Sequence, residues 1–243
     1  MKILIIRHGD PDYSIDSLTE KGRREADMLA ERIAPMDIKA YYVSPLGRAQ
    51  DTAAATLKKA GCTAETLPWL REFNVPVTDP ETGIERGIPW DMLPAEWTAV
   101  QEYYDKDKWH STPLMASGNM REHLSEVWDG LDKVIADHGY VRSGNIYRAV
   151  SPNEDTIAFF CHFGVQCVML GHLLGVSPMI LWHGFMAAPT SVTTLCTEER
   201  REGTAFFRAS ALGDISHLYI KGEEPAFAGR FCETFSNASQ RHD

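Results

Sequence analysis

The stretch KILIIRHG, residues 2–9, decides the fold of this chain of 243 residues. Its four consecutive apolar residues, Ile3 to Ile6, are typical of a strand that is buried on both faces, and such strands belong to parallel sheets. The stretch then ends abruptly in Arg7, His8 and Gly9. A cationic side chain and a titratable one are therefore expected where a buried strand reaches the edge of its sheet.

Two further units of strand and helix follow the same pattern. The first is a predicted strand from Ala40 to Val43, which ends at Ser44-Pro45 as a predicted helix N-cap and leads into a helix from Gln50 to Lys59. The second is TIAFFCHFGVQCVMLGHLLG, in which an apolar strand again ends in a histidine, His162, before an apolar helix. Strands that alternate with helices predict an α/β fold, here a three-layer α/β/α sandwich with a mostly parallel central sheet.

The middle of the chain lacks this alternation and predicts an insertion. Residues 62–120 contain four tryptophans, several prolines and no strand period, with one helix expected near Pro94–Tyr104. An amphipathic helix follows over residues 121–139, and the segments SVTTLCTEE and TAFFRASALG predict two late strands that pair. We predict a single α/β domain over residues 1–243, with an insertion of loops and helices at residues 76–150.

Composition limits the partners of the chain. The formal net charge is -10, so the surface repels phosphate backbones and we expect no nucleic-acid partner. No apolar run has the length that spans a bilayer, and the N-terminal run is too short for a signal peptide, so we expect no membrane partner. The five cysteines are odd in number and form no C-x-x-C pair, which is typical of a reduced, cytoplasmic protein. Whether the chain forms a homo-oligomer stays open.

Ligands of parallel α/β sheets bind beyond the carboxyl ends of the strands. Arg7 and His8 follow the first predicted strand, Arg48 lies at the start of the helix after the second, and His162 follows the late strand. If these strands are parallel neighbours, the four side chains meet at one edge of the sheet. Two guanidinium groups and two imidazoles there would form a local cationic pocket for a phosphate group.

The residue types predict roles in phosphate chemistry. Arg7 and Arg48 would hold the phosphate oxygens by paired hydrogen bonds, and Gly9 would let the phosphate approach the backbone. A neutral His8 would attack phosphorus and form a phosphohistidine. His162, if protonated, would add a third cationic donor in the transition state. Because these groups neutralise the charge that metal ions neutralise elsewhere, we expect neither a metal nor a cofactor.

Departure of an alkoxide needs a proton donor, and Glu72 is the predicted general acid. It lies between Leu70 and Phe73 in the stretch WLREF, where burial would raise its pKa and keep part of it protonated near neutral pH. The same carboxylate would then activate a water molecule against the phosphohistidine. Because loop glutamates look alike in sequence, Glu81 and Glu85 are the alternatives.

These segments resemble the histidine phosphatase superfamily, also called phosphoglycerate mutase-like, and its phosphatase branch in particular. LIIRHG is similar to the nucleophile motif of that family, LTEKGRREA to its first helix, SPLGRAQDTA to the signature of its phosphate-binding arginine, and FCHFG to its late histidine motif. The resemblance implies a phosphorylated His8, phosphate contacts from Arg48 and His162, an acid at Glu72, and a substrate-selecting cap at residues 76–150.

The resemblance implies a phosphomonoesterase that hydrolyses a small-molecule phosphate ester. Asp10-Pro11-Asp12 follows R-H-G where mutases have Glu/Gln-Thr/Ser and a nearby asparagine, and the E-R-H-Y-G context of the mutase glutamate is absent. Both departures favour hydrolysis over mutase activity. The alternatives are a phosphoglycerate-type phosphomutase and a non-catalytic module that binds a phospho-ligand. A protein phosphatase needs an open cleft, which the long insertion disfavours.

The same residues also have purely structural interpretations. Arg7 could close its strand through an ion pair. Arg48 could pair with Asp51 or Asp27 on the surface, and His162 could be a core histidine. The aromatic residues of the insertion are more typical of internal packing than of a platform for substrate. They are Trp90, Trp97, Tyr103, Tyr104 and Trp109.

Overall fold

The structure, a computed structural model that describes residues 1–240, is built from strands and helices that alternate along much of the chain. The strands are β1 (Lys2–Arg7), β2 (Pro11–Asp12), β3 (Ser17–Leu18), β4 (Ala40–Val43), β5 (Glu65–Thr66), β6 (Val77–Thr78), β7 (Glu85–Arg86), β8 (Tyr140–Ser143), β9 (Ile146–Ala149), β10 (Thr156–Cys161), β11 (Val192–Arg201) and β12 (Thr204–Asp214). The helices are α1 (Glu20–Ile33), α2 (Gly47–Ala60), α3 (Pro94–Trp97), α4 (Pro113–Ala116), α5 (Met120–Asp137), α6 (Phe163–Leu174), α7 (Pro178–Gly184) and α8 (Ser216–Lys221).

One eight-stranded sheet with the order β5-β4-β10-β1-β11-β12-β9-β8 forms the centre of the molecule. The strands from β5 to β1 run parallel to one another, whereas β11, β12, β9 and β8 each join their neighbour antiparallel. The prediction of a sheet that is mostly parallel at its core is confirmed. The two late strands, β11 and β12, also pair as their sequences predict.

Helices cover both faces of this sheet, which confirms the three-layer sandwich. Ile3 and Ile5 of β1 belong to a buried cluster with residues of α5 and α6. Leu4 and Ile6 point the other way, into a second buried cluster with residues of α1 and α2. Because both faces are covered, every residue from Ile3 to Ile6 is buried. The alternation of apolar and polar residues that is typical of a half-exposed strand is therefore absent.

The predicted insertion at residues 76–150 divides into two parts in the structure. Residues 76–119, here called the cap segment, hold the β6–β7 hairpin, two single-turn α-helices and short 3-10 turns. From Met120 onward the chain returns to the main body, because α5 packs on α6 and the β8–β9 hairpin extends the edge of the main sheet. Within residues 1–240, every helix is too short or too polar to pass through a lipid bilayer.

The β8–β9 hairpin was not expected from the sequence. Its two strands flank Gly144, which has a φ of 62°, so the turn needs the left-handed backbone that glycine adopts at little cost. A Gly-Asn pair between short segments that contain tyrosine, valine and isoleucine is a hairpin signal in the sequence. Each of these edge strands has only four residues, which is too short for a clear hydrophobic period. The turn signal therefore has little support from the flanking sequence.

Candidate active site

Three strands end level at one edge of the sheet and bring the predicted residues together. In the strand register, Arg7 of β1 pairs with Cys161 of β10, and Phe160 of β10 pairs with Val43 of β4. His8 and His162 each follow the last residue of their strand, and their ring centroids are 5.1 Å apart at an interplanar angle of 57°. The convergence that parallel neighbours would require is therefore present.

The surroundings of His8 favour the neutral tautomer that can act as a nucleophile. Its ring is buried, and Nδ1 lies 2.7 Å from the carbonyl oxygen of Gly9. The carbonyl can only accept, so we assign the proton to Nδ1, which leaves the lone pair on Nε2. Burial first, and the charge of Arg7 second, hold the pKa of His8 well below its usual 6.5.

Position 9 needs a glycine because of close packing, which differs from the predicted reason of access for a phosphate. A Cβ on Gly9 would lie 2.7 Å from the carbonyl oxygen of Gly22 in α1. Its N–H already donates to Thr52 Oγ1 at 2.9 Å, and that hydroxyl donates to the carbonyl of Arg48 at 2.7 Å. The glycine therefore lets the loop that carries His8 approach α1 and connects it to α2, while its N–H is not available to a phosphate.

Both arginines are buried and each is held through Nη1. Arg7 Nη1 donates to the carbonyl oxygens of Ala187 and Ala228, the latter at 3.2 Å. Arg48 Nη1 donates to Asp16 Oδ1 at 2.5 Å, and the other carboxylate oxygen of Asp16 accepts the N–H of Gly47 at 2.7 Å. The Nε atoms of both arginines are buried and have no hydrogen-bond partner within residues 1–240.

The surface interpretation of Arg48 is wrong. The residue is only 9% exposed, and its carboxylate partner is Asp16 rather than Asp51 or Asp27. Asp51 instead accepts a hydrogen bond from Ser17 and faces Arg23 at 3.8 Å. Asp16 was missed in the sequence, where only its position in the loop before α1 could have suggested it.

His162 is fully buried and is oriented by Ser44. Its Nε2 lies 2.7 Å from Ser44 Oγ, which itself accepts the N–H of Leu46 at 3.3 Å. We assign the hydroxyl proton of Ser44 to the hydrogen bond with Nε2, which leaves the imidazole proton on Nδ1, and Nδ1 has no partner in the described part of the chain. Burial, followed by the neighbouring His8, holds the pKa of His162 well below 6.5, which favours the neutral imidazole over the protonated form.

Ser44 is also a correction to the sequence prediction. The helix begins at Gly47, two residues later than a Ser44 N-cap implies, and the cap residue is Leu46 without a side-chain cap. The serine hydroxyl is used for His162 instead. Tertiary contact thus overrides the local preference of serine for a helix N-terminus.

Glu72 enters the site from the loop after the 3-10 turn Pro68–Leu70. Its Oε1 accepts the N–H groups of Phe73 at 2.8 Å and Val165 at 3.1 Å. Burial raises the pKa of Glu72 and outweighs these two hydrogen bonds and the attraction of Arg7, all of which favour the carboxylate. A raised pKa is what a proton donor near neutral pH requires.

The glycine of FCHFG makes room for this carboxylate. A Cβ on Gly164 would lie 2.6 Å from Glu72 Oε1 and would also overlap the ring of Trp90. Trp90 therefore reaches out of the cap segment to the site, and its ring lies 5.1 Å from that of Trp182. Trp97, by contrast, stacks on His183 with centroids 4.9 Å apart, which is packing between the cap segment and α7.

The alternative acids lie elsewhere. Glu81 and Glu85 are exposed residues of the β6–β7 hairpin region of the cap segment. The cap segment also contains a cavity of about 700 Å³, lined by Glu81, Tyr103 and Thr112 among others, but by none of the five predicted catalytic residues. This cavity is thus separate from the cluster of buried donors at the sheet edge.

Comparison with known proteins agrees with this geometry. The family model of the histidine phosphatase superfamily (branch 1) matches residues 3–208. The chain belongs to the histidine phosphatase superfamily. This superfamily member is 31% identical over 180 residues to the 2,3-bisphosphoglycerate-dependent phosphoglycerate mutase of Thermoplasma acidophilum, a match that covers 68% of this chain and 80% of the relative.

Two solved structures illustrate the fold of this superfamily member. A phosphoserine phosphatase mutant from Entamoeba histolytica, in complex with phosphoserine, superposes with a TM-score of 0.59 at 17% identity and covers 89% of this chain and 98% of its own. A mycobacterial glucosyl-3-phosphoglycerate phosphatase superposes with a TM-score of 0.60 at 18% identity, and the match covers 87% of this chain and 98% of the phosphatase. At these identities the likeness concerns the fold alone.

Proposed function

We propose that this chain is a metal-independent phosphomonoesterase that hydrolyses a small-molecule phosphate ester through a phosphohistidine on His8. One observation supports this most directly: three buried donors at the sheet edge, Arg7 Nε, Arg48 Nε and His162 Nδ1, have no acceptor within residues 1–240. A buried donor without a partner costs about 1–3 kcal/mol. A phosphate group offers three equatorial oxygens to such donors.

The first chemical step transfers the phosphoryl group to the enzyme. The Nε2 lone pair of His8 attacks phosphorus, and the bond from phosphorus to the ester oxygen breaks. Glu72 donates its proton to that oxygen, so the alcohol leaves neutral. The two guanidinium groups and the Nδ1–H of His162 stabilise the charge on the equatorial oxygens.

The second step returns the enzyme to its starting state. The Glu72 carboxylate accepts a proton from water while the water oxygen bonds to phosphorus and the phosphorus–nitrogen bond of His8 breaks. Inorganic phosphate leaves, His8 is again neutral at Nε2, and Glu72 again carries the proton that the next cycle needs. The bond from Nδ1–H to the Gly9 carbonyl keeps the ring oriented in both steps.

A small-molecule substrate is favoured by the way the site is enclosed. Trp90 of the cap segment borders Glu72 on one side, and backbone around Ala228 and Gly229 contacts Arg7 on another. The fold neighbours named above bear names of enzymes for small phosphate esters, phosphoserine and glucosyl-3-phosphoglycerate, and we propose the same broad class here. We expect a cytoplasmic protein that needs no metal, nucleic acid or membrane for this reaction.

A phosphoglycerate-type mutase is the second candidate, because the relative from Thermoplasma acidophilum carries that activity in its name. A mutase also forms a phosphohistidine but returns the phosphoryl group to the product. Asp10-Pro11-Asp12 after the nucleophile favours hydrolysis, because mutases of the family have different residues at those positions.

One assay series separates the candidates. The purified protein is incubated with p-nitrophenyl phosphate and a panel of phosphorylated metabolites, with and without EDTA, and free phosphate is measured. We expect EDTA-resistant phosphate release and acid-labile labelling of His8 by a radioactive phosphate ester. Transfer between the hydroxyls of phosphoglycerate, dependent on a bisphosphate primer and without net phosphate release, would establish the mutase. Binding of orthovanadate without either reaction would establish a binding module.

A further inference from the structure

The C-terminal segment reaches the edge of the sheet that carries Arg7 and His8. Residues 223–230, here called the strap, follow α8 and are attached to one face of α1. Lys21 Nζ lies 3.1 Å from Glu223 Oε1 and donates to the carbonyl of Glu224 at 2.5 Å, and Arg24 lies 3.4 Å from the same glutamate oxygen. These contacts hold the beginning of the strap.

A buried carboxylate ties the strap to the nucleophile loop. Glu25 of α1 is fully buried; its Oε1 accepts the N–H of Ala226 and its Oε2 accepts the N–H of Asp10, each at 3.0 Å. Asp10 lies two residues after His8. The same side chain therefore fixes the position of the strap and of the loop that carries the nucleophile.

The strap then meets Arg7. The carbonyl oxygen of Ala228 accepts a hydrogen bond from Arg7 Nη1 at 3.2 Å. Gly229 has a φ of 84°, and a Cβ at that position would lie 2.6 Å from Arg7 Nη1 and 2.8 Å from Nη2. Only a residue without a side chain lets the backbone lie this close to the guanidinium group.

These contacts divide the guanidinium group into an anchored end and a free edge. Nη1 donates to two backbone carbonyls, those of Ala187 and Ala228. Ala187 precedes β11 in the chain, and Ala228 follows β12. Nε is buried and without a partner within the described residues. Nε and Nη2 form the edge that can bind two oxygens of one anion in parallel.

We propose that the strap is a positioning segment for Arg7: by holding Nη1, it turns the Nε–Nη2 edge toward the substrate phosphate. The inference rests on the proposed phosphate chemistry and extends it to a part of the chain beyond the matched family region, which ends at residue 208. A strap that positions Arg7 strengthens phosphate binding. A strap that merely blocks the site would weaken it.

The test is Gly229→Ala, compared with Gly203→Ala as the matched control. Gly203 has a φ of 76° in the turn between β11 and β12, and a Cβ there meets nothing within 4 Å, so the control carries the same backbone strain without the contact. For Gly229→Ala we expect KM for p-nitrophenyl phosphate and the dissociation constant of orthovanadate to rise about 10-fold or more, because a charge-assisted hydrogen bond is misaligned. We expect kcat to fall less and Gly203→Ala to match the wild type in both constants.

A second pair of variants keeps the test informative if Gly229→Ala does not fold. Lys21→Ala removes a partly exposed anchor of the strap, and Lys133→Ala removes an exposed ion pair with Asp137 on α5. We expect only Lys21→Ala to raise both constants, about 2- to 5-fold. Unchanged constants in the strap variants, or tighter vanadate binding, would overturn the positioning role.

The two proposals fail in different ways. Phosphate release by the wild type with no effect of the strap variants leaves the proposed function intact and rejects the strap. Vanadate binding that weakens in the strap variants, in a wild type without phosphate release, keeps the strap and rejects hydrolysis. A wild type that neither binds vanadate nor releases phosphate rejects both.

Discussion

The pKa values of titratable groups at the sheet edge and of exposed carboxylates in the cap segment are shifted by different physical causes. At the sheet edge, burial is the largest influence: it lowers the pKa values of His8 and His162 and raises that of Glu72. For the exposed carboxylates Asp79 and Glu96 of the cap segment, hydrogen bonds are the largest influence, and they lower both pKa values. Burial shifts the sheet-edge groups toward their neutral forms, whereas these solvated carboxylates keep their ordinary charge and contribute little to stability.

This contrast predicts its largest effect at His8. We expect His8→Ala to lower kcat by about 10⁴-fold or more, because the substitution removes the imidazole that we propose carries the phosphoryl group. His123→Ala on the exposed side of α5 is the matched control and should retain wild-type turnover. Circular dichroism should show both variants folded. A folded His8→Ala enzyme with a few per cent of wild-type activity would remove His8 from the nucleophile role.

The next effect concerns Glu72 and depends on the leaving group. For an alkyl phosphate we expect Glu72→Gln to lower kcat/KM by about 10³-fold, and for p-nitrophenyl phosphate by less than about 10-fold, since nitrophenolate leaves without protonation. The raised pKa means that the acid form is lost as pH rises, so the wild-type alkyl rate should fall on the alkaline side. Glu72→Gln should lack that alkaline limb. Equal losses for both esters would assign the acid to another residue.

A somewhat smaller effect is expected at His162. His162→Ala removes one donor to the equatorial oxygens and should cost about 100- to 1000-fold in kcat. Ser44→Ala leaves the imidazole in place but removes the hydroxyl that holds it in one tautomer. We therefore expect kcat to fall about 10-fold, and Ser44→Thr should partly restore it. Steady-state kinetics across pH measures both. A Ser44→Ala enzyme as impaired as His162→Ala would show that the serine does more than orient the ring.

Burial of Glu25 on α1, beside the loop that follows His8, predicts how the free energy of unfolding depends on pH. Burial raises the pKa of Glu25 to about 7, from 4.5, so the folded state binds a proton more tightly than the unfolded state. This contribution is complete below pH 4.5 and is lost as pH rises through about 7, by about 3 kcal/mol in total. Glu25→Gln should lack this loss in urea titrations at a series of pH values, whereas Glu126→Gln, exposed on α5, should keep it. A loss of the same size in Glu25→Gln would place its origin elsewhere.

The smallest effects are expected in the cap segment. Glu81→Gln and Glu85→Gln alter exposed carboxylates away from the sheet edge, and we expect kcat for p-nitrophenyl phosphate to change by less than about 2-fold in each. The same assays on alkyl esters complete the comparison with Glu72. A loss confined to alkyl esters in either variant would show that the cap segment supplies the proton donor.

Much of the candidate site at the sheet edge could be predicted because it depends on local pattern and on one topological rule. The apolar run Ile3–Ile6 predicts a strand buried on both faces, and the carboxyl ends of parallel strands must share an edge. Arg7, His8, Arg48 and His162 could therefore be placed together from the sequence. Glu72 was harder, because a loop residue has no periodicity to fix its direction.

The missed contacts all join segments that are far apart in the chain. Asp16 binds Arg48 across 32 positions, Ser44 reaches His162 across 118, and Ala228 reaches Arg7 across 221. Each of these pairs uses a polar atom with ordinary local preferences, such as a loop aspartate or a backbone carbonyl. No sequence pattern indicates which distant donor such an atom will satisfy.

The sequence by itself determined the three units of strand and helix that meet at the sheet edge, the chemistry available there and the membership of the family, because these follow from hydrophobic period and from residue type at strand ends. Only the tertiary structure decided which atoms of those residues are already engaged. It holds Nη1 of each arginine, buries His162 against Ser44 and brings the C-terminal strap to Arg7. The physical reason is that burial and hydrogen-bond partners, which set protonation and orientation, arise only when distant segments pack together.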